Sequence, residues 1–268
     1  MTTPISLDGI GLHSGAPCRV TLCLEPGPVA LRARGILAPL ADLVVASTAR
    51  ATTVESRSGL RVGTVEHALS ALAGLGVYDG LVLDVDGPEL PLLDGGCSVW
   101  CAAIRRLDLR ASSPHLRVAR SAVLQVGPSR FDFTPDDGID VSVRLELDDA
   151  PHVLPDARWR GAADDFVARI APARTFVLAR ELEELVRRGL ARHADPECVV
   201  VVTSDGLLHA GRPAAADEPA RHKLLDLVGD LYLYGGPPIG RVHAHRPGHA
   251  ANARAVRRAL DEGVLVRA

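Results

Sequence analysis

Residues 217–236 read DEPARHKLLDLVGDLYLYGG and have the pattern of a long helix. Pro219 stands near the start, where a helix tolerates its missing N–H, and two glycines followed by two prolines end the run. Apolar side chains recur between these signals at helical spacing, and they are Leu224, Leu227, Val228 and Leu231. We therefore expect a helix with this face packed against the core.

Two polar side chains of this helix, His222 and Asp226, lie four residues apart and so share one face. A neutral imidazole and a carboxylate on one face suit a metal ion. Lys223 stands between them and is the only lysine among 30 lysine and arginine residues. A compact ammonium can do here what a planar guanidinium cannot. The only asparagine, Asn252, lies in a second distinctive motif, GHAAN, and the placement of two rare residues in such motifs favours a functional interpretation.

The composition of the chain excludes several classes of protein. Its 268 residues are 47% hydrophobic and 3% aromatic, so we expect a sizeable core of Leu, Val and Ala. A net charge of -3 without a long basic run indicates a protein that does not bind nucleic acid. No early stretch is typical of a signal peptide, and no apolar run is long enough to span a bilayer. Five cysteines without a regular pattern favour a reducing compartment, so the expected location is the cytoplasm.

Predicted strands and helices occur in groups in each half of the chain, which favours an α+β fold over a doubly wound sheet. The segment Ala-Ser-Ser-Pro at 111–114 is the best candidate boundary, giving an N-terminal domain of residues 1–112 and a C-terminal domain of residues 113–268. The halves share an order of elements but no residue-level repeat. The predicted helices are 65–74, 99–107, 163–170, 179–188, 217–236 and 248–260, and the predicted strands are 18–24, 80–85, 116–126, 131–133, 141–147, 198–203 and 239–245, with 116–126, 131–133 and 141–147 antiparallel.

A possible metal site combines residues from both halves. Thr64 can cap the first predicted helix, which puts Glu66 and His67 in its first turn. A catalytic zinc needs about three protein ligands and one open position, and His67, His222 and Asp226 would supply the three ligands. Nitrogen and oxygen ligands also serve Fe²⁺, so the ligand set alone does not choose the metal.

Hydrolysis of an amide at such a site also needs a base for the attacking water and an acid for the leaving amine. Glu66, next to a candidate ligand, can be the base, and His249, at the start of the last predicted helix, can be the acid. Asp230 lies one turn beyond Asp226 and can orient or charge an imidazole. Lys223 can stabilise a developing oxyanion or bind an anionic part of a substrate. Spacing alone leaves a structural alternative open, in which the histidines are core or surface residues and the acids form a solvated face.

Other motifs show no such chemistry. The glycine-rich segment 9–15 has the composition of a turn, and Arg174-Thr175-Phe176 has no mechanism visible from its residue types. Seven histidines have no motif of this kind around them, so we expect structural or surface roles for His13, His115, His152, His193, His209, His243 and His245.

Six motifs taken together carry a family resemblance. They are GLHSG at 11–15, TVEH at 64–67, PELPLLDG at 88–95, RTF at 174–176, HKLLD followed by GD at 222–230, and GHAAN at 248–252. Their residues and order resemble the UDP-3-O-acyl-N-acetylglucosamine deacetylase family. The resemblance implies a zinc hydrolase that removes acetate from an acylated UDP-sugar, the committed step of lipid A synthesis, with a product that passes to membrane lipid synthesis. It also implies two similar α+β domains, each a mainly antiparallel sheet layered with helices, with the active site between them, and we expect a monomer.

The resemblance also implies roles for individual residues. The family's insert, which forms a passage for the acyl chain, corresponds to residues 177–203. The zinc ligands fall on His67, His222 and Asp226, the general base on Glu66, the proton-donating histidine on His249, its acidic partner on Asp230, the oxyanion-binding threonine on Thr175 and a substrate-contacting lysine on Lys223.

Several positions depart from the family pattern. Gly96 stands where serine is usual, Val177 where glycine is usual, and residues 192–196 replace a glycine-rich stretch. These changes concern the acyl passage and nucleotide contacts and leave the chemistry intact. Two alternatives therefore stay open beside the deacetylase: a paralogous zinc deacetylase of another N-acyl sugar, and a catalytically silent binding protein of the same fold.

Overall fold

The computed structural model of the chain describes residues 4–187 and 195–268. The first half is mainly strands, with two helices inserted late. Its elements are β1 (Ile5–Ile10), β2 (Pro17–Pro28), β3 (Ala30–Ala33), β4 (Ile36–Pro39), β5 (Val44–Ser47), β6 (Thr53–Glu55), β7 (Arg61–Val62), α1 (Glu66–Leu75), β8 (Asp79–Asp86) and α2 (Ser98–Arg105).

The second half begins with strands and carries two long helices near its end. Its elements are β9 (Leu116–Val118), β10 (Ala122–Val126), β11 (Ser129–Thr134), β12 (Ile139–Arg144), β13 (Asp156–Trp159), α3 (Ala163–Asp165), β14 (Thr175–Leu178), α4 (Ala179–Arg187), β15 (Val199–Val202), β16 (Leu207–Leu208), α5 (Glu218–Tyr232), β17 (Gly240–His245), α6 (His249–Asp261) and β18 (Leu265–Arg267). A π-helical segment, Phe166–Ile170, continues α3.

Each half contains one five-stranded sheet, and the two sheets have the same topology. The strand orders are β1-β2-β8-β3-β4 and β10-β11-β17-β12-β13. In both sheets the third and fourth strands pair in parallel, and the other neighbours pair antiparallel. The prediction of an α+β fold with two similar, mainly antiparallel sheets is confirmed. The similarity of the halves is one of strand order, which no residue-level repeat reveals.

The strands of the second half follow the prediction in direction but not in continuity. Residues 116–126 form two strands, and the first of them, β9, pairs with β18 in a separate two-stranded sheet. β10, β11 and β12 run in alternating directions, as predicted, but β11 and β12 are not neighbours, because β17 lies between them and pairs in parallel with β12. Strands that follow one another in sequence are often neighbours in a sheet, but the return of a distant strand overrides this tendency.

The predicted helices are present within the described residues, with shifted ends. The helix expected at 217–236 ends at Tyr232, and the one expected at 163–170 is a short α-helical turn continued by the π-helical segment. The helix predicted at 179–188 has its last residue, Arg188, outside the described residues. Most of the altered segment 192–196 lies outside them as well. Across residues 4–187 and 195–268, no helix has both the length and the apolar character that crossing a membrane requires.

The start of α1 differs from the prediction that Thr64 caps it. Val65 precedes the helix without a side-chain cap, and Thr64 has a φ of 54°. The Thr64 hydroxyl instead donates to Glu89 Oε2 at 2.8 Å. Glu89 Oε1 also accepts from the backbone N–H and the hydroxyl of Ser14. The Glu89 carboxylate therefore joins the loop that contains Ser14 to the segment that precedes α1.

The two helices α1 and α5 pack on each other at the centre of the molecule. The residues of α1 are buried from its first turn to Gly74, so this helix has no solvent-facing side. Gly229 of α5 permits the contact, because a Cβ there would lie 2.1 Å from the carbonyl oxygen of Glu66. The Ser70 hydroxyl donates to the Leu225 carbonyl across the same interface at 2.9 Å. This packing sets the first turn of α1 against the middle of α5.

The larger of two hydrophobic clusters among the described residues joins the inner faces of both sheets to these helices. The apolar residues predicted to form the inner face of α5 are at most 1% exposed. Leu, Val and Ala make up most of the cluster, as the composition indicates. The central position of α5 is therefore a consequence of its apolar face, and it carries the polar residues of that helix into the interior.

Candidate active site

Three candidate ligands meet between α1 and α5. One ligand-type atom from each of His67, His222 and Asp226 lies within 4.8 Å of the other two, and all three side chains are buried. His222 Nε2 is 3.4 Å from Asp226 Oδ1, and the two imidazole centroids are 5.2 Å apart. The first half of the chain therefore supplies one member of the group and the second half supplies two.

Backbone carbonyls orient both imidazoles. His67 Nδ1 donates to the Gly96 carbonyl at 2.8 Å, and His222 Nδ1 donates to the Ala173 carbonyl at 3.0 Å. Because a carbonyl oxygen only accepts, Nδ1 carries the hydrogen in each ring, and a neutral ring keeps its lone pair on Nε2. Burial lowers the pKa of His222 to about 4, which favours the neutral ring that a metal requires.

The loop that carries Gly96 packs tightly against the segment that orients His222. A Cβ at Gly96 would lie 2.3 Å from the Ala171 carbonyl oxygen and 2.9 Å from that of Ala173. The next residue, Cys97, donates its N–H to Ala171 at 2.8 Å. The glycine at position 96, noted above as a departure from the family pattern, therefore has a structural reason in this chain.

One carboxylate oxygen of Asp226 accepts a hydrogen bond, and the other has no hydrogen-bond partner among the described residues. Its Oδ2 accepts from Lys223 Nζ at 2.8 Å, whereas Oδ1 is buried and has no hydrogen-bond partner among the described residues. A buried carboxylate oxygen without a donor is unfavourable unless a cation fills the position. Burial alone would raise the pKa of Asp226, but Lys223 and His222 outweigh it and hold that pKa well below its usual range. The two imidazole nitrogens and this oxygen fit a divalent cation such as Zn²⁺.

Glu66 and His249 face each other beside this group. Glu66 Oε1 is 3.7 Å from His249 Nε2. The other ring nitrogen of His249, Nδ1, donates to Asp230 Oδ2 at 2.9 Å. Burial raises the pKa of Glu66. Burial alone would lower the pKa of His249, but the neighbouring carboxylates, Asp230 first, outweigh it and raise that pKa to about 10. A carboxylate of raised proton affinity beside a protonated imidazole is suited to acid–base chemistry.

Two further side chains complete the surroundings of Asp230. Thr52 is 1% exposed, and its hydroxyl donates to Asp230 Oδ1 at 2.6 Å. Asn252 Nδ2 donates to Asp230 Oδ2 at 2.8 Å. The sequence singled out Asn252 by its rarity and its place in the GHAAN motif. It contained no signal for Thr52, because no spacing relates a residue before β6 to helices of the other half.

The other two candidate residues, Thr175 and Lys223, line the cavity that opens onto the group. Thr175 begins β14, where its N–H donates to the Gly95 carbonyl at 2.8 Å. Lys223 Nζ lies 5.4 Å from the centroid of the Phe176 ring as well as beside Asp226. Burial would lower the pKa of Lys223, but Asp226 outweighs it and raises that pKa, so the ammonium is charged.

His13 and Arg50 also line this cavity, a position that the sequence did not indicate for either. The backbone N–H of His13 donates to Glu89 Oε1 at 2.9 Å, while its ring atom Nε2 is buried and, within the described ranges, unpartnered. Arg50 has a φ of 69° and its guanidinium lies 3.5 Å from Glu181 of α4. These residues add an imidazole and a guanidinium to the lining of the cavity.

Two cavities adjoin at Thr175, Phe176 and Val177. The polar one, about 290 Å³, contains the candidate ligands together with Glu66 and His249. The other, about 470 Å³, is lined mainly by apolar side chains from β14, α4, β15 and β16. The described part of segment 177–203 therefore supplies much of an apolar cavity beside the polar site.

The Arg174-Thr175-Phe176 motif is anchored by a buried ion pair. Arg174 donates from its backbone N and from Nε to Glu218 Oε1, at 3.0 and 2.9 Å, and Arg212 Nη2 donates to the same oxygen at 2.6 Å. Burial would raise the pKa of Glu218, but the two arginines outweigh it and lower that pKa to about 2. Since Ala173 and Thr175 flank Arg174, this ion pair ties both of them to the start of α5.

Buried imidazoles and carboxylates in a cavity between two similar halves are the arrangement that enzymes use for acid–base chemistry. A family model described as "LpxC: UDP-3-O-acyl N-acetylglycosamine deacetylase" matches residues 1–261. The chain therefore belongs to the UDP-3-O-acyl N-acetylglycosamine deacetylase family, and the resemblance drawn from its six motifs is confirmed.

Three bacterial proteins, each named UDP-3-O-acyl-N-acetylglucosamine deacetylase, are similar over almost the whole chain. That of Myxococcus xanthus is 38% identical over 269 residues, which cover 96% of this chain and 84% of the relative. That of Pseudomonas entomophila is 34% identical over 276 residues, covering 96% and 88%. That of Cellvibrio japonicus is 33% identical over 275 residues, covering 98% and 89%.

Proposed function

We propose that this protein is a zinc-dependent deacetylase that releases acetate from UDP-3-O-acyl-N-acetylglucosamine. The observation that carries the proposal is the buried group of His67, His222 and Asp226, with an unpartnered Asp226 oxygen, beside Glu66 and His249. The names of the relatives supply the substrate. The apolar cavity next to the polar one supports a substrate with an acyl chain.

The acid–base steps follow from the positions of Glu66 and His249. Zinc held by His67, His222 and Asp226 would supply a Lewis acid that polarises the acetyl carbonyl. Glu66 accepts a proton from the water that attacks this carbonyl, and His249 donates a proton to the amide nitrogen as the carbon–nitrogen bond breaks. The products are acetate and the free amine of the sugar.

The remaining candidate residues support these steps. Asp230 accepts from His249 Nδ1 and so directs Nε2, the proton-donating atom, toward Glu66. The Thr175 hydroxyl and the Lys223 ammonium are donors at the cavity wall, suited to the developing oxyanion or to an anionic part of the substrate. Phe176 and Val177, where the two cavities meet, would contact the acyl chain.

The proposal extends to the cellular context. We propose a cytoplasmic monomer without nucleic-acid partners, whose product passes to membrane lipid synthesis in the lipid A pathway. We also propose that the chain consists of domains 1–112 and 113–268, joined through the segment at 111–114. The duplicated sheet topology and the position of that segment between α2 and β9 support this division.

The deciding experiment is acetate release from a UDP-3-O-(3-hydroxyacyl)-N-acetylglucosamine, with and without a chelator. We expect turnover that the chelator abolishes and that added Zn²⁺ restores, with an Fe²⁺ arm to compare the two metals. A protein that binds the substrate but shows no single turnover with zinc restored is a silent binding protein. Failure on every 3-O-acylated UDP-sugar, with turnover of another N-acyl sugar, would indicate the paralogue.

A further inference from the structure

We propose that Thr52 is a positioning residue that sets the separation between the base and the acid of this site. The inference rests on the proposed roles of Glu66 and His249. Thr52 is almost completely buried and lies just before β6, in the first half of the chain. It contacts the surroundings of both catalytic groups, through its backbone on one side and its hydroxyl on the other.

The backbone of Thr52 holds Glu66. Its N–H donates to Glu66 Oε2 at 3.0 Å, and its carbonyl accepts from the Val65 N–H at 3.2 Å. Both main-chain groups of Thr52 are therefore bonded to the first turn of α1. One oxygen of the base is directed by this contact, and the other, Oε1, is turned toward His249.

The hydroxyl of Thr52 contacts both His249 and its partner Asp230. Thr52 Oγ1 lies 2.6 Å from Asp230 Oδ1 and 3.3 Å from His249 Nδ1. An ionised carboxylate only accepts, so the hydroxyl hydrogen points to Asp230, and the hydroxyl lone pairs face the Nδ1–H of His249. Nδ1–H is therefore shared between Asp230 Oδ2 and Thr52 Oγ1, which limits rotation of the imidazole.

These contacts give Thr52 a role that Asn252 does not share. The Asn252 side chain donates from Nδ2 to Asp230 Oδ2 and accepts at Oδ1 from the Gly248 N–H, so its hydrogen bonds to described residues lie on the acid side of the site. Thr52 joins α1 of one half to α5 and α6 of the other, at the point where Glu66 Oε1 and His249 Nε2 are 3.7 Å apart. Loss of the hydroxyl would leave Asp230 Oδ1 without this donor and free the imidazole to turn, while the backbone hold on Glu66 remains.

The first test is Thr52→Val, which removes the hydroxyl, keeps the shape and preserves both backbone contacts. We expect kcat to fall about 10- to 100-fold, the effect of losing a hydrogen bond to a charged group, with KM and zinc content unchanged. Thr52→Ser should restore kcat to within about threefold of the wild type, since it retains the donor. Thr53→Val, the same change one residue along and beside Gly63, is the matched control and should leave kcat unchanged.

The second test separates positioning from general stability. In a His249→Ala background, Thr52→Val should change the residual turnover by less than about twofold, because its effect acts through His249. The proposal would be overturned if Thr52→Val lowered kcat in the His249→Ala background as much as it does in the wild type. It would also be overturned if Thr53→Val lowered kcat as much as Thr52→Val. If the wild type itself has no turnover, the proposed function fails, and the ¹⁵N resonances of the His249 ring decide about Thr52. They should shift in Thr52→Val, and unchanged resonances would refute the contact.

Discussion

His249 Nε2 and Glu66 Oε1 lie 3.7 Å apart, although the two residues come from opposite halves of the chain. The distance exceeds that of a hydrogen bond, so the two groups face each other without a direct bond. The Thr52 N–H holds Glu66, and Asp230 together with the Thr52 hydroxyl holds His249. The proposed acid and base are thus held in place by contacts within the protein.

Replacement of either member of this pair should reduce turnover without loss of metal. We expect Glu66→Gln and His249→Ala each to lower kcat by about 10²-fold or more, the usual range for a general base or acid. Both proteins should keep the zinc content of the wild type, measured by elemental analysis. Near-normal turnover in either variant would remove that residue from its role.

The ligand variant His222→Ala is the control for that prediction. Removing this imidazole should reduce zinc content itself, because two donors bind a divalent ion far more weakly than three. Turnover and zinc content should then fall together, whereas Glu66→Gln should lower turnover and keep the zinc content of the wild type. Full zinc content in His222→Ala would place the metal elsewhere.

Gly229→Ala should disrupt the site from a distance. The added methyl would lie 2.1 Å from the Glu66 carbonyl oxygen, so α1 and α5 must move apart. We expect a loss of about 1–3 kcal/mol in unfolding free energy, typical of overpacking, together with weaker zinc binding in a chelator competition. Gly138→Ala is the control, since no atom lies within 4 Å of its added Cβ. Equal stability of the two variants would show that the helix contact can relax.

The ion pair of Arg174 and Glu218 should make stability depend on pH in the acid range. The pKa of Glu218 falls from 4.5 to about 2 in the folded protein, so the carboxylate stabilises the fold above pH 4.5. Its contribution, roughly 3 kcal/mol, is lost as the pH falls from 4.5 through 2. In urea unfolding, the difference in unfolding free energy between the wild type and Glu218→Gln should shrink between pH 5 and pH 3.

The surface variant Glu55→Gln is the control for the pH prediction. Its carboxylate pairs with Arg61 at 2.7 Å, but the side chains are 45% and 56% exposed. An exposed pair of this kind contributes little, so the change should alter the unfolding free energy by less than about 0.5 kcal/mol at pH 7. A Glu218→Gln difference that stays constant from pH 7 to pH 3 would contradict the assignment.

Val177 should affect the choice of acyl chain. It lines both cavities where they adjoin, so Val177→Gly widens the connection between them. We expect kcat/KM for longer acyl chains to rise relative to shorter ones, measured with a series of 3-O-acyl UDP-sugars. Val123→Gly makes the same change at an exposed position of β10, away from the cavities, and should leave the ratio unaltered. An unchanged ratio in Val177→Gly would mean that the acyl chain does not pass this residue.

Local features of the fold were predictable because they depend on neighbours in the sequence. The apolar spacing in α5, the shared face of His222 and Asp226, and the position of Glu66 at the start of α1 all follow from helix geometry. The strand order was not predictable in the same way. The insertion of β17 between β11 and β12 joins segments far apart in sequence, and local hydrophobic patterns do not encode such pairings.

The sequence alone determined the family, the class of fold and the residue types of the candidate site, because motifs and helical periodicity are written along contiguous stretches. Only the tertiary structure decided that Gly96 and Ala173 orient the two imidazoles, that Asp226 keeps an open oxygen, and that Thr52 bridges the two halves. These relationships depend on how closely α1 and α5 approach. That distance is set by packing of the whole core and is visible in no single segment.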